Sequence, residues 1–189
     1  MERIGYPCVV KAPTSKDGEG FSFVHSDADL ADAWRAADRG LGQGAVVERF
    51  IDFDFEVTIL AARSIDPSTG ELATWFCEPI GTRHREGRLV ESWQPAPLPE
   101  AAMDNARSIA ARITGALASC GIFSVEMFVS GDDVYFSQVT PRPSRDGLVT
   151  FVTQRINQFD LQAHATQRLP IDSTLISPCL LYTSPSPRD

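Results

Sequence analysis

Two oxygen-bearing side chains, Glu126 and Gln138, lie on neighbouring predicted strands where they could bind a divalent cation together. Residues 121–147 read GIFSVEMFVSGDDVYFSQVTPRPSRDG, and apolar and polar residues alternate on both sides of a Gly131-Asp132-Asp133 turn. Such alternation around a glycine turn predicts a β-hairpin. If the loop comprises these three residues, Glu126 faces Gln138 with Cβ atoms roughly 5 Å apart. Carboxylate and amide oxygens suit Mg²⁺, although an ordinary solvated polar pair fits this segment equally well.

A lysine at the end of a predicted strand precedes a glycine-bearing loop near the start of the chain. Residues 7–11 (PCVVK) form a short apolar strand that ends in Lys11, and residues 14–20 (TSKDGEG) form the loop before the next strand. A lysine ammonium is a point charge for phosphate, and Gly18 and Gly20 let backbone N–H groups approach phosphate oxygens. This unit predicts a phosphate-binding flap, while an ordinary hairpin with a surface lysine remains the alternative.

A further group of candidates lies where the apolar run at residues 45–47 gives way to Glu48, within GAVVERFIDFDFE. The backbone at residues 48–51 could hydrogen-bond an adenine ring at such a strand edge. Glu56, one strand later, could accept hydrogen bonds from ribose hydroxyls. A pair of strands with solvated carboxylates at alternate positions is the competing interpretation.

The 189 residues, 43% of them hydrophobic and with a net charge of −8, predict one globular domain, or one domain plus fragments. A chain of this length buries roughly 70% of its unfolded surface, so it can form a substantial core. The negative charge, without a lysine or arginine run, argues against nucleic acid or an anionic membrane as a partner. No apolar run approaches the roughly 20 residues of a membrane helix. Because the chain has no basic–apolar leader and its four cysteines are scattered, we expect a cytoplasmic location.

Periodicity and capping residues predict an α+β chain. Ser26 with Asp29 predicts a helix start, Pro99 favours the start of a long helix, and Asn157 could cap the last helix. The polar stretch at residues 82–87 (TRHREG) is predicted to be a loop. Further strands are predicted at residues 44–52, 53–63 and 72–78, and the apolar stripe of the long helix comprises Ala102, Ala106, Ile109, Ala110, Ile113 and Leu117.

The last segment, residues 177–189 (SPCLLYTSPSPRD), differs from the rest of the chain in composition. It is rich in serine and proline and has no hydrophobic period, which predicts disorder. Its wording also resembles translated sequencing-adapter read-through at the end of an incomplete reading frame. We therefore expect a partial domain over residues 1–176 and a disordered or non-native tail over residues 177–189.

The order of these pieces resembles that of the ATP-grasp superfamily and, more narrowly, of the formate-dependent phosphoribosylglycinamide formyltransferases of purine biosynthesis. The segments that carry the resemblance are IGYPCVVK (4–11), DGEG (17–20), VVERFIDFDFEVTIL (46–60), ESWQP (91–95) and GIFSVEMFVSGDDVYFSQVTPRP (121–143). Together they extend over most of residues 4–171, and the ESWQP segment makes the match specific. The resemblance implies an ATP-grasp fold in which two α+β subdomains grip ATP, truncated here at both ends.

The resemblance also implies a role for each matching residue. Lys11 and the loop that follows it would contact phosphates, Glu56 would hold the ribose, and Glu126 and Gln138 would hold Mg²⁺. Arg142 would meet phosphate or an acyl phosphate. The remaining implied contacts are the loop residues Lys16, Gly18, Glu19 and Gly20, the adenine-edge residues Glu48, Arg49, Phe50 and Ile51, and Asp146 beside a substrate amine.

The family's reaction uses ATP and Mg²⁺ to phosphorylate formate, and the resulting formyl phosphate passes its formyl group to the amine of glycinamide ribonucleotide. By resemblance, the chain would supply the ATP- and magnesium-binding part of such an enzyme, which at full length is a possible homodimer. Other interpretations stay open. They are another purine ATP-grasp ligase, such as the carboxylase acting on aminoimidazole ribonucleotide, a non-catalytic nucleotide-binding module, and a structural fragment without a ligand.

The chain departs from the family pattern at ligand positions. Gln138 stands where the family has a metal-binding glutamate, and an amide oxygen brings no charge to a second metal. Glu19 replaces a lysine of the phosphate loop, and Arg145 occupies the place of an acidic residue that Asp146 could supply one position later. The family's N-terminal nucleotide-sugar-binding domain and C-terminal barrel have no counterpart here. We therefore expect ATP binding, rather than complete formyl transfer, from this chain alone.

Overall fold

The computed structural model describes residues 4–14, 20–85, 88–117 and 120–182, which form helices and β-sheets, as predicted for an α+β chain. The strands are β1 (Cys8–Lys11), β2 (Ser22–Val24), β3 (Val46–Arg49), β4 (Phe55–Ile65), β5 (Leu72–Phe76), β6 (Ile80–Arg85), β7 (Arg88–Gln94), β8 (Gly121–Ser130), β9 (Asp133–Thr140) and β10 (Cys179–Tyr182). The helices are α1 (Leu30–Asp38), α2 (Glu100–Leu117), α3 (Thr150–Thr153) and α4 (Gln158–Gln167). The chain divides into two compact units, Met1–Asp52 with His84–Arg88, and Phe53–Arg83 with Leu89–Asp189.

The first unit contains a three-stranded antiparallel sheet in the order β2-β1-β3, with α1 packed on one face. Cys8 and Val10 alternate with Val9 and Lys11 along β1, so the two pairs point to opposite faces. Cys8 and Val10 pack with Val24 of β2 and with alanines of α1 in a small buried core. Lys11 therefore lies on the face of the sheet that points away from the helix.

Helix α1 begins where the sequence predicts. After Ser26, a short 3-10 turn at Asp27–Asp29 leads into the helix, and the Asp29 carboxylate accepts backbone hydrogen bonds from His25 (2.9 Å) and Ser26 (3.0 Å). These bonds, that from His25 first, lower the pKa of Asp29, because they stabilise the ionised carboxylate. A negative charge here also suits the positive end of the helix dipole. Local sequence thus fixes the start of α1.

The second unit is built on a seven-stranded sheet whose path runs β10-β7-β6-β4-β8-β9, with β5 paired to β4 beside this path. The central strand is β4, because its first half pairs with β6 and its second half with β5, while β8 pairs along its other edge. Residues 57–62 of β4 are all buried. Both faces of this strand are covered, which explains its nearly continuous apolar sequence.

Helices α2 and α4 cover opposite faces of β4. Val57 and Ile59 pack with alanines of α2, whereas Leu60 and Ala62 pack with Leu161 of α4. The predicted apolar stripe of α2 is confirmed except at its last position, where the side chain is 46% exposed. In the part of the chain that the structure describes, no helix is long and apolar enough to cross a membrane.

Helix α4 begins at the predicted cap. The Asn157 side chain accepts hydrogen bonds from the backbone N–H groups of Phe159 (2.9 Å) and Asp160 (3.3 Å). These bonds satisfy donors that have no partner inside the helix. The first helical residue, Gln158, is fully buried as a consequence of where the helix starts.

Strands β8 and β9 form the predicted hairpin, but with a shorter turn and a compensating bulge. Ser130 pairs with Asp133, so the loop has two residues instead of the expected three. Gly131 has a φ of +58°, which a glycine adopts without steric cost. A β-bulge beside Glu126 then shifts the register by one residue, and Glu126 pairs with Gln138 after all. The expected loop length was wrong, whereas the expected cross-strand pair is confirmed.

The loop predicted at residues 82–87 is wrong for residues 82–85, which belong to β6. Thr82 pairs with Glu56 of β4. A polar segment joins the sheet here because ladder hydrogen bonds use the backbone, and the neighbouring strand decides whether they form. Residues 86–87 lie outside the described residues.

The tail also departs from the prediction. Cys179–Tyr182 forms β10 and pairs antiparallel with β7, so that Leu180 lies opposite Trp93. The backbone edge of β7 offers hydrogen-bonding groups to another strand, and Leu181 packs against a buried cluster. The expectation of disorder is therefore wrong for these four residues. Residues 183–189 lie outside the described part of the chain.

Candidate functional site

One face of the sheet in the second unit carries polar side chains in a row. Thr58 of β4 pairs with Glu126 of β8, which in turn pairs with Gln138 of β9. Directly opposite residues share a face of the sheet, and so do residues two positions apart on one strand. Glu56 therefore belongs to the same face as Thr58, and Ser124 to the same face as Glu126. Strand alternation thus collects these oxygen-bearing groups on one surface.

Glu126 and Gln138 contact each other directly. The Gln138 Nε2 atom donates a hydrogen bond to Glu126 Oε2 at 2.7 Å. Gln138 is exposed and Glu126 is half-buried. Because the oxygen and nitrogen of an amide are nearly equivalent in shape, a half-turn of the Gln138 amide brings Oε1 to the position that Nε2 occupies. The pair can therefore present either a hydrogen bond or two oxygens.

These two side chains fit a magnesium ion as part of its oxygen shell. Protein Mg²⁺ sites commonly use one or two carboxylates, and phosphate oxygens and water complete the coordination. Within the described ranges, no group of three or more histidine, cysteine, aspartate or glutamate side chains is arranged to hold a metal ion. One carboxylate with one amide oxygen therefore suits a metal that arrives with a phosphate ligand, rather than an all-protein metal cage.

The proline-rich segment after β9 carries Arg142 at the surface. The guanidinium Nη1 of Arg142 donates a hydrogen bond to the Pro143 carbonyl at 3.0 Å. A proline on each side restricts the backbone of this arginine. Ser144 follows, and its hydroxyl lies 2.7 Å from the hydroxyl of Ser124 on β8. The segment is thus bonded to the sheet at Ser144, two residues after Arg142.

Asp146 occupies a different environment from the other candidates. It is 6% exposed, and its Oδ2 accepts a hydrogen bond of 2.9 Å from Thr58 Oγ1. It opens a 3-10 turn, Asp146–Val149, that precedes α3. Contact with a substrate amine, the role implied by the resemblance, stays a prediction, because a carboxylate can accept further hydrogen bonds beside the one from Thr58. In this structure Asp146 joins the segment after β9 to the central strand.

In the first unit, Lys11 and Glu48 form an ion pair. Lys11 Nζ lies 2.5 Å from Glu48 Oε2, and the side chains are 29% and 43% exposed. The register of β1 and β3 pairs Val9 with Glu48, which places Lys11 diagonally opposite the carboxylate on the same face. The two residues expected to contact phosphate and adenine therefore neutralise each other.

The segment expected to line adenine continues from β3. Arg49 is exposed, and the backbone N–H of Phe50 donates to the Pro7 carbonyl at 3.3 Å. Phe50 also contacts Phe23 of β2, with ring centroids 5.7 Å apart. Among the described residues, none bonds to the backbone of Ile51. Of the two residues, Phe50 therefore has its backbone N–H engaged by Pro7, and adenine contact by this segment stays a prediction.

Gly20 ends the predicted phosphate loop. The Ala12 N–H donates to the Gly20 carbonyl at 3.0 Å, which closes the loop between β1 and β2. Gly20 has a φ of +74°, and a Cβ there would lie 2.9 Å from Ala12 Cβ and 3.1 Å from the Ala36 carbonyl oxygen. Close packing against α1 therefore requires this glycine. Lys16, Gly18 and Glu19 lie outside the described residues.

Sequence reasoning missed the residues that hold these groups in place. Asp54 Oδ2 accepts from the Gly131 N–H at 2.8 Å and so stabilises the hairpin turn. Thr58 holds Asp146, and Gln158 holds the backbone of Ser144. Asp54 and Thr58 lie 77 and 88 residues from their partners, so no local pattern indicates them. The adjacent cap at Asn157 was the one available signal for Gln158.

The fold and the distribution of these charged groups define a class of protein. The ATP-grasp domain family matches residues 1–159, and the chain belongs to this family. The more particular similarity is to formyltransferases. The chain is 56% identical over 180 residues to the formate-dependent phosphoribosylglycinamide formyltransferase of Corynebacterium efficiens, a match that covers 94% of this chain and 45% of that protein.

Solved structures agree with this placement. The glycinamide-RNase-transformylase T of Mycobacterium tuberculosis matches with a TM-score of 0.75 and 38% identity, over 94% of this chain and 46% of that one. The ADP complex of an N5-carboxyaminoimidazole ribonucleotide synthetase matches with a TM-score of 0.82 and 27% identity, over 95% of this chain and 46% of that one. The chain thus spans about half the length of the relatives and structures that it resembles.

Proposed function

We propose that this chain supplies the ATP- and magnesium-binding part of a formate-dependent formyltransferase that acts on glycinamide ribonucleotide in purine synthesis. The relative from Corynebacterium efficiens has this activity in its name, and its 56% identity covers nearly all of the chain. The geometric observation that carries the proposal is the contact between Glu126 and Gln138, on the strands that lead into Arg142. Carboxylate, amide oxygen and cation are the groups that a bound Mg²⁺–triphosphate needs.

Nucleotide binding would exchange one partner of an existing ion pair. A phosphate of ATP replaces Glu48 as the anion beside Lys11, and the Glu48 carboxylate becomes available to the amino group of adenine. The exchange is feasible because a partly exposed pair such as this one contributes only about 0–1 kcal/mol. The unbonded backbone at Ile51 receives the purine edge, and Glu56 accepts hydrogen bonds from the ribose.

Glu126 and the amide oxygen of Gln138 would hold Mg²⁺ together with phosphate oxygens. The metal supplies charge neutralisation for the transferring phosphoryl group. Arg142 would bind the same phosphoryl group or the acyl phosphate formed from it. The prolines on either side restrict the backbone from which this guanidinium extends.

The proposed chemistry is a phosphoryl transfer followed by an acyl transfer. A formate oxygen attacks the γ-phosphorus of ATP, the bond from that phosphorus to the bridging oxygen breaks, and ADP leaves. The amine of glycinamide ribonucleotide then attacks the formyl carbon. The carbon–oxygen bond to phosphate breaks, phosphate leaves, and the amine loses a proton. No side chain needs to act as a nucleophile, so positioning and electrostatics carry the rate.

A calorimetric titration with Mg²⁺ and a non-hydrolysable ATP analogue tests the binding part. The chain should bind saturably, and Glu126→Ala should weaken binding about tenfold or more, because a charge-assisted ligand is lost. Glu71→Ala is the matched control, since it removes an exposed carboxylate in the turn before β5. Equal affinities of all the proteins would contradict the metal assignment, and no binding by the folded chain would contradict the proposal as a whole.

A second candidate is an ATP-dependent carboxylase of the purine pathway. The structure of the synthetase in complex with ADP favours it, because its TM-score of 0.82 exceeds the 0.75 of the transformylase. ADP release discriminates the two. If formate but not bicarbonate stimulates ADP release, the result supports the formyltransferase. If bicarbonate but not formate stimulates ADP release, it supports the carboxylase.

A further inference from the structure

The Gln158 side chain forms a two-point bracket on the backbone of Ser144. Gln158 is fully buried at the start of α4. Its Oε1 accepts from the Ser144 N–H at 3.0 Å, and its Nε2 donates to the Ser144 carbonyl at 2.8 Å. One amide thus satisfies both backbone groups of one residue, as a neighbouring strand would.

The residues around this bracket, Gly147 and Thr150, restrict the position of the Gln158 side chain. A Cβ on Gly147 would lie 2.1 Å from Gln158 Oε1, so the glycine makes room for the amide. Thr150 Oγ1 accepts from the Gln158 N–H at 3.0 Å and donates to the Gly147 carbonyl at 2.6 Å. Because a buried, fully paired polar network resists distortion, the position of Ser144 is set by α4.

The bracket acts on Arg142 through the intervening proline. At one end of the segment, Thr140 is paired with Ser124 in the sheet. At the other end, Ser144 is held by Gln158 and by the hydroxyl of the same Ser124. Pro143 has a fixed φ and restricts the residue before it. With both ends anchored, the backbone of Arg142 has few conformations open to it.

We propose that Gln158 is a positioning residue of the nucleotide site, which acts through Ser144 and Pro143 to hold Arg142 in place for a phosphoryl group. The inference rests on the proposed function, because the role of Arg142 belongs to that proposal. Gln158 itself touches no ligand. Its effect is to lower the entropy that the arginine loses when it binds phosphate.

The test uses Gln158→Glu, which keeps the shape of the side chain and makes its donor depend on pH. A protonated carboxyl donates to the Ser144 carbonyl and accepts from the Ser144 N–H, as the amide does. An ionised carboxylate has no proton to donate and faces the carbonyl oxygen. Burial and this carbonyl favour the protonated form, so the pKa of the introduced group lies above the ordinary glutamate value of about 4.3.

Gln162→Glu is the matched control on the same helix. Gln162 Oε1 accepts from the Ile122 N–H at 2.7 Å, and an ionised carboxylate keeps that acceptor role. Both variants add the same charge to α4 once their carboxyls are ionised. The charged residues that follow Ser144, Arg145 and Asp146, are the same in the variants and the unchanged chain.

Two measurements are made across the mildly acidic to neutral range on the chain and both variants. Amide resonances followed by NMR should show the Ser144 N–H titrating in Gln158→Glu, and the Ile122 N–H titrating in Gln162→Glu. Affinity for Mg²⁺ with a non-hydrolysable ATP analogue should match that of the unchanged chain while the carboxyl is protonated. It should fall about tenfold when the carboxyl ionises, in Gln158→Glu only. In an Arg142→Ala background, Gln158→Glu should cause no further loss.

Each other result overturns the proposal in a distinguishable way. If the Ser144 N–H titrates in Gln158→Glu but nucleotide affinity does not change, Gln158 does not act on Arg142. The same conclusion follows if Gln158→Glu lowers the affinity equally in the Arg142→Ala background. If Gln158→Glu does not fold, Gln158→Met should show the same loss at every pH, and full affinity of that variant refutes the role. If the unchanged chain binds no nucleotide, the proposed function fails and the positioning role fails with it, while the NMR titration still reports the bracket.

Discussion

At the residue scale, the most informative position is Gln138. Its amide donates to Glu126 at 2.7 Å, and the pair carries one negative charge instead of two. An amide oxygen ligates Mg²⁺ without adding charge. If the pair binds Mg²⁺, as we propose, the neutral residue exchanges a charged metal ligand for this hydrogen bond.

Gln138→Glu reverses this exchange. We expect Mg²⁺ affinity in the presence of nucleotide to rise about tenfold, because a second carboxylate adds a charged ligand. Without metal, the two facing carboxylates should lower the free energy of unfolding by about 0.5–1 kcal/mol. Calorimetric magnesium titration and urea unfolding, with and without Mg²⁺, measure the two effects.

Gln162→Glu again provides the control, because it adds the same charge on α4, where the side chain contacts Ile122 of β8 rather than Glu126 or Gln138. It should leave magnesium affinity unchanged. A fall in magnesium affinity in Gln138→Glu would show that the site does not use this pair as ligands. An unchanged stability without metal would show that the side chains separate freely.

At the element scale, the bulge in the β8–β9 hairpin decides which residues share a face. The two-residue turn alone would place Glu126 opposite Ser137, because Ser130 pairs with Asp133. The bulge absorbs one residue and restores Gln138 as the partner. Asp54, the residue before β4, stabilises the turn by accepting a hydrogen bond from the Gly131 N–H. The pairing of Glu126 with Gln138 thus depends on a β-bulge in a hairpin whose turn is bonded to Asp54.

Close packing between β6 and β7 gives a prediction at this scale. A Cβ on Gly81 would lie 2.2 Å from Trp93 Cε2, so the ring packs directly on the glycine backbone. Gly81→Ala should lower the free energy of unfolding by about 1–3 kcal/mol, because the rigid ring must move. Urea unfolding monitored by circular dichroism measures the change.

Gly115→Ala is the matched substitution on α2. The nearest atom to a Cβ there is Arg63 Nη1 at 3.8 Å, so the methyl group has room. Alanine is the better helix former, and this variant should be more stable by about 0.5–1 kcal/mol. Equal effects of the two substitutions would mean that the ring packing against Gly81 does not limit stability.

At the scale of the whole molecule, the two units differ in the size of their cores. The buried cluster of the first unit consists of Cys8, Val10, Val24, Ala33 and Ala37. The second unit has two larger clusters, on opposite sides of β4. Stabilisation follows the apolar area removed from water. The first unit should therefore open more readily than the second.

Two buried cysteines report the opening of each unit separately. Cys8 and Cys77 are both fully buried, and burial raises the pKa of the Cys77 thiol to about 12. In variants that keep a single cysteine, a thiol reagent should label Cys8 faster than Cys77 under native conditions. Rates are divided by those of the same variants in concentrated urea, which removes differences in intrinsic reactivity.

A variant that keeps only Cys179 calibrates the experiment, because this thiol is exposed and should react without any unfolding. Cys77 labelling as fast as Cys8 would show that the two units open together. Faster labelling of Cys77 would contradict the comparison of core sizes.

The sequence by itself determined the parts of this protein that depend on near neighbours. The Asn157 cap, the start of α1 and the β8–β9 hairpin follow from residues a few positions apart. The facing of Glu126 and Gln138 was predicted from a three-residue loop, whereas the structure produces it with a two-residue turn and a bulge. The resemblance to one family could be recognised for the same reason, because short runs of neighbouring residues carry it. Short-range geometry restricts these contacts whatever the rest of the chain does.

Only the tertiary structure decided the contacts between distant residues. The polar stretch at Thr82 became a strand because β4 offered it a partner. Asp146 became a buried partner of Thr58, and Lys11 an ion-pair partner of Glu48. Gln158 bonds to the backbone of Ser144 across the turn at Asp146–Val149. Such contacts depend on the packing of whole elements, which side-chain chemistry along the chain does not specify.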